Sequence, residues 1–212
     1  MTSQSSGIRN PKARVRARGV IAACAAAALF ALGGCAGAVV GAGATAGTAA
    51  VQERGLDGAI VDARIQATLN NGWLEYDKSL FPHLASSVYE GRVLLTGVVK
   101  TEDQRGEIVR QAHVIRGVRE VINEILVDPS GTTGTFARDS WISTQLRTKL
   151  LFDRDVLAIN YSVETVRHTV YLFGIAQDKQ ELDRVINYAR NTEYVSRVVN
   201  HVLLKTDPRR RA

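Results

Sequence analysis

Cysteine is nearly missing from this chain. There are two, Cys24 and Cys35, both near the N-terminus, and the 177 residues that follow have none. That excludes an intrachain disulfide framework and a cysteine-based zinc site in the body of the protein. The four histidines, His83, His113, His168 and His201, show no metal-ligand spacing. No GxSxG elbow, P-loop or strand-borne GxGxxG occurs, so nucleophilic hydrolysis, nucleotide binding and resident metal chemistry have no constellation to rest on. Asp153-Arg154-Asp155 places two carboxylates close together, but in a loop context that suits a solvated charge run. No catalysis and no cofactor are expected. Acidic residues are missing from positions 1–34, which carry Arg9, Lys12, Arg14, Arg16 and Arg18. These five account for most of the net +6, and the rest of the chain sits at +1. The basic balance therefore belongs to a leader, and nucleic acid is not an expected partner.

What is present begins with that leader. Positively charged residues precede an apolar run of 13, Val20–Leu32, followed by small residues. This is the layout of a secretory signal, and the run is short of the roughly 20 residues a membrane span needs. Leu32-Gly33-Gly34-Cys35 resembles a lipobox, the site where bacterial lipoproteins are cut and acylated on cysteine. An uncleaved span is the alternative, since no charge appears from Gly19 to Gln52, but six glycines dilute it. The resemblance implies a mature chain anchored by acyl chains on Cys35. Ala36, where enterobacterial inner-membrane lipoproteins carry Asp, implies sorting to the outer membrane. Residues 35–55 then read as the acylated Cys and a Gly/Ala-rich tether spanning about 25 Å root-mean-square.

The body is a repeat. Gly91–Val127 lies over His168–Leu204 at a constant offset of 77, pairing Val93 with Val170, Gly97 with Gly174, Ala112 with Ala189 and Asn123 with Asn200. Upstream, Val61, Ile65 and Leu69 match Ile142, Leu146 and Leu150 at offset 81, which implies four extra residues in a copy-one loop marked by Gly72 and Pro82. Each copy reads helix, two strands, helix, strand. The first helices are Asp57–Asn70 and Asp139–Leu151, the hairpin turn is Glu90-Gly91, Thr101 and Asp178 open the second helices, and Val118–Val127 and Val195–Leu204 are the last strands. Gly97 and Gly174 read as turn glycines. The expected fold class is α+β: two tandem αββαβ units, each a three-stranded mixed sheet packed against two helices. The expected boundaries are unit one at 56–128, a linker at 129–137, unit two at 138–205 and a basic tail at 206–212.

The frame G-R-V-L-L-T-G-V-V, then a helix ending in I-R-G-V-R-E-V-I-N-E-I-L-V, resembles the BON domain. In copy two, Tyr194-Val195 replaces Gly117-Val118 and His168 replaces Gly91. A lipobox leader ahead of two such units resembles the dual-BON outer-membrane lipoproteins, and Asp139–Thr144 with Arg147 and Leu150-Leu151 is the most specific stretch. That resemblance implies an outer-membrane location facing the periplasm, support of membrane integrity, and binding of anionic phospholipids through the first helix of unit two.

The residues bear on this directly. With Leu146 at zero, Trp141 falls at about 220°, Thr148 at about 200°, Thr144 at about 160°, Leu151 at about 140° and Arg147 at about 100° on a helical wheel. Trp141 thus lies off the Ile142/Leu146/Leu150 stripe, on an uncharged face edged by cations. An indole suits a membrane interface, and Arg147, Arg138 and Lys149 can meet phosphates. Trp141, Thr144, Arg147, Thr148, Leu151 and Arg138 are therefore the candidate membrane contacts. Two other readings stay open: Trp141 packs against copy one as an interdomain core, or the face or a sheet edge holds an envelope protein partner. On the offset of 81, copy one has Ile60 at the place of Trp141, which suggests mainly structural duty there. The tail Asp207–Arg211 is either a frayed solvated end or an extra headgroup contact.

Overall fold

The computed structural model describes residues 52–131 and 134–210; the leader, Cys35 and most of the tether lie outside them. The first unit runs α1 (Gly55–Tyr76), β1 (Leu84–Tyr89), β2 (Arg92–Val99), α2 (Glu102–His113) and β3 (Glu120–Val127). The second runs α3 (Phe136–Phe152), β4 (Tyr161–Val166), β5 (Thr169–Ala176), α4 (Lys179–Arg190) and β6 (Arg197–Leu204). In each sheet the first strand pairs antiparallel with the second, and the second pairs parallel with the third. The expected α+β class, with two mixed three-stranded sheets and four helices, is what the described residues adopt.

The second helices start where the sequence signals place them. Thr101 and Gln104 form a reciprocal capping box, and the Asp178 carboxylate accepts from the Glu181 N–H, satisfying amides that have no partner inside the helix. The first helix differs from expectation. It runs to Tyr76 rather than Asn70, so Gly72 is helical and not in a loop. Trp73 explains this: it continues the stripe Ile65, Leu69, Trp73 and is 2% exposed. Burying an indole contributes on the order of 4 kcal/mol by area, well above the ~1 kcal/mol cost of one helical glycine.

The longer helix also corrects the repeat. Asp62, Ile65, Leu69 and Trp73 are the buried set of α1; their counterparts Asp139, Ile142, Leu146 and Leu150 are buried in α3 together with Ser143. Each pair is 77 apart, as are the β strands, so the four-residue insertion does not exist. A helical stripe slipped by four residues moves only about 40° around the axis, so the slipped match looks as good as the true one.

Gly97 and Gly174 are likewise not turn residues. They lie within β2 and β5, opposite Leu84 and Tyr161, with φ of +132° and +128°. A Cβ would stand 2.1 Å from the His83 carbonyl oxygen or 1.9 Å from that of Asn160. Close approach of two backbones is what demands glycine here.

Each unit packs one sheet face beneath its helices around Ile65, Leu95 and Ile108, or around Leu146, Leu172 and Val185. The opposite sheet faces meet each other. Tyr89, Leu94, Tyr171, Phe173, Ile175 and Leu203 form a third core between the units, so β2 and β5 are covered on both sides. The layers are helices, sheet, sheet, helices. Arg92, 5% exposed, lies 5.0 Å over the Phe173 ring, pairs with Glu120 and donates to the His201 carbonyl oxygen. The His201 ring meets Glu124 at 2.8 Å, and the Tyr89 hydroxyl donates to Asn160. Gln52 and Glu53, read from sequence as tether, bond to Ile159 and Asn160. The tail is not frayed as far as it is described: Pro208–Arg210 forms a 3₁₀ turn, and Arg210 pairs with Glu90 with both side chains mostly buried. The described members of the three cores all lie between 65 and 204, so a fragment of residues 52–212 retains every one of them.

Candidate membrane-contact face

Rotation of α3 about its own axis decides what it shows to solvent, and two features set it. Ile142, Leu146 and Leu150 are at most 1% exposed. Asp139, also buried, accepts from the Arg167 and His168 backbone N–H groups at 2.9 Å each. Those residues form the two-residue turn between β4 and β5, both with positive φ. Asp62 does the same for Glu90 and Gly91 at 2.8 Å. One carboxylate thus pins each first helix to its hairpin. The pattern reading missed this pair; aspartates at the offset of 77 were the available signal.

With the inner face pinned, the outer face is fixed. Trp141 is 41% exposed and Leu151 71%. Phe152 is 80% exposed and sits at about 240° on the wheel, in line with Trp141. Pattern reading left Phe152 out because the expected helix ended at Leu151. Thr144 and Thr148 are exposed between these side chains. The Thr148 hydroxyl donates to the Thr144 carbonyl oxygen at 2.8 Å, so this polar group is satisfied within the helix and costs little to move out of water.

Trp141 is not part of the core between the units, so the interdomain reading of its role falls away. Its indole packs edge-on against Tyr194, centroids 5.6 Å apart at 61°. Arg138 lies 4.8 Å over the other partner of that pair, the Tyr194 ring, and no ion pair engages it among the described residues. These side chains, with Gly134, Thr135, Ala137 and Glu193, line an open groove beside the start of α3. Arg147 is differently placed. It donates to the Val163 carbonyl oxygen and pairs with Glu164 at 3.3 Å. Burial pushes the Glu164 carboxyl up, and Arg147 opposes that. Of the two candidate phosphate-binding arginines, Arg138 has its charge unpaired and Arg147 does not.

At the true offset, the copy-one counterparts of Arg138, Trp141 and Tyr194 are Val61, Arg64 and Gly117, not Ile60 for the tryptophan. All three differ in kind. Among the described residues, the groove with this aromatic pair and cation belongs to unit two alone. Among the described residues no cluster of His, Cys, Asp or Glu could hold a metal ion, and no helix is long and apolar enough to cross a membrane.

The BON domain family matches residues 57–129 and 138–206, both copies of the repeat. The chain belongs to the BON-domain family. Among its relatives, an uncharacterized protein of the gshII 5' region of Anaplasma centrale is 38% identical over 72% of this chain and all of its own length. The outer membrane lipoprotein DolP of Haemophilus influenzae is 32% identical over 70% of this chain and 78% of its own. Osmotically-inducible protein Y of Escherichia coli is 25% identical over 71% and 74%. Among solved structures, CdsD of the Chlamydia trachomatis type III secretion system matches 68% of this chain and 63% of its own at 16% identity. Its TM-score of 0.28 is too low to bear on fold or function.

Proposed function

We propose that this BON protein is a non-enzymatic lipoprotein of the bacterial envelope, anchored through Cys35 to the outer membrane and facing the periplasm. It binds anionic phospholipid through the outer face of α3 and supports membrane integrity. The observation that carries the reading is the exposed row Trp141, Leu151 and Phe152 on a helix whose inner side is already fully packed. Arg138 stands at one end of that row with its charge unpaired. Aromatic and aliphatic side chains of this kind enter the headgroup boundary, and each cation near an anionic surface adds about 1 kcal/mol. That is weak association alone. A tether raises the local concentration of the face at the bilayer and makes weak binding sufficient. The Haemophilus influenzae relative is an outer membrane lipoprotein, which supports the location.

The test uses residues 52–212 with vesicles of phosphatidylglycerol in phosphatidylcholine at low salt. Trp73 is buried and supplies a constant background, so a blue shift on adding vesicles reports Trp141. Binding that disappears in Trp141→Glu and weakens with salt supports the reading. Absence of binding to anionic vesicles overturns it. In the second reading the same groove holds an envelope protein, since Trp, Tyr and Arg are enriched at protein interfaces. A partner lost on Trp141→Glu, with vesicles ignored, selects that reading.

A further inference from the structure

Among the described residues, four non-glycine residues have positive φ: Glu90, Arg167, His168 and Tyr194. The first three form the two hairpin turns, where a buried aspartate accepts the backbone N–H groups of Glu90, Arg167 and His168. Tyr194 has no such account. It lies in the connection from α4 to β6 with φ +66°, and its copy-one counterpart is Gly117 at φ +102°. The backbone at this point requires a positive φ in both units, and glycine meets the requirement without strain. A bulky residue there is an outlier that persists only when something else holds it.

Burial does not hold it, because Tyr194 is 52% exposed. Its ring meets the Trp141 indole and carries the Arg138 guanidinium. Neither partner exists in unit one, where the counterparts of Arg138 and Trp141 are Val61 and Arg64, and the side chains nearest Gly117 are Val61 and Ile65. The strained residue and the two groups it touches are therefore present together in one copy and absent together in the other.

We infer that Tyr194 is a positioning residue: its left-handed backbone sets the ring so that Trp141 and Arg138 are held ready, side by side, for a lipid phosphodiester and the acyl boundary beneath it. This rests on the membrane reading above. A guanidinium carried over an aromatic ring keeps N–H donors for another acceptor, and an indole braced along one edge loses less freedom when it enters the interface. Holding these two side chains before binding is worth about three- to tenfold in affinity, from the ordering cost of rotamer-rich side chains.

The decisive variant is Tyr194→Gly, which restores the residue unit one uses. It is expected to leave the thermal midpoint of residues 52–212 unchanged or higher, because strain is relieved. It is also expected to weaken binding to phosphatidylglycerol vesicles by about three- to tenfold, and to raise acrylamide quenching of Trp141 in the free protein. Tyr194→Phe keeps the ring and should bind within about twofold of the parent. Tyr194→Gly binding as the parent does, while Trp141→Glu abolishes binding, overturns the inference and leaves the membrane reading standing. A Tyr194→Gly variant that loses stability along with binding also overturns it, since the residue is then merely structural. If Trp141→Glu itself leaves vesicle binding intact, the membrane reading falls and this inference falls with it.

Discussion

Consider removal of the exposed apolar groups of α3 one at a time. An indole offers up to roughly 250 Å², so the 41% left exposed on Trp141 is about 100 Å². At ~25 cal/mol per Å², its full transfer from water contributes about 2.5 kcal/mol, and half that if the ring stays half wet at the interface. Trp141→Ala should therefore weaken binding to phosphatidylglycerol vesicles between about 10- and 60-fold. Phe152 is 80% exposed; taking about 200 Å² for its side chain gives about 160 Å² and a ceiling of about 4 kcal/mol. Phe152→Ala should cost at least as much as Trp141→Ala. Vesicle sedimentation at fixed low salt measures both, and a thermal melt serves as control. Phe152→Ala should change stability by no more than about 0.5 kcal/mol, because that side chain is 80% exposed, and Trp141→Ala by about 0.5–1.5 kcal/mol through loss of the Tyr194 pair, so both remain folded. A Phe152→Ala variant that binds as tightly as the parent sinks the reasoning, since the helix then does not lie with this side in lipid.

Other perturbations probe the scaffold beneath that face. Gly174→Ala puts a Cβ 1.9 Å from the Asn160 carbonyl oxygen at φ +128°, and should cost about 3 kcal/mol or more in urea unfolding; an unchanged midpoint would contradict the packing. Gly106→Ala, in α2 with nothing within 4 Å, should instead stabilise by about 0.5–1 kcal/mol. Asp139→Ala strips two backbone N–H groups of their acceptor, costing about 1–3 kcal/mol, and should loosen Trp141, seen as greater acrylamide quenching. Asp128 is held down at about 2 by hydrogen bonds from Ser130 and Arg167, and Asp207 at about 2 by Arg209. These depressed carboxyls contribute stability that is fully present above the ordinary value of 3.8 and lost as pH falls through about 2. Acid melts should decline over that window, and the decline should be shallower in Asp128→Asn.

Local chemistry wrote the order of elements. Thr101 with Gln104 and Asp178 cap helices wherever they stand, and period-two strands show themselves over a few residues, so αββαβ twice over was legible in the chain alone. The outward aim of Trp141 was legible too, because helical geometry sets the angle between it and Ile142, Leu146 and Leu150. Three things were not. The register of α1 against α3 was hidden because a helical stripe looks alike after a slip of one turn, and only burial of Trp73 and the Asp62 and Asp139 clasps distinguish the true offset. The uninterrupted apolar runs of β2 and β5 held a signal for strands covered on both faces, but that they cover each other depends on contacts between residues some 80 positions apart, such as Leu94 and Phe173. Whether the indole ended up sealed or open followed from that choice: the sheets took the junction, which left the helix layers outside and Trp141 beside Tyr194 in water. Sequence periodicity determines which way a side chain points from its own element; only packing at a distance determines what it then meets.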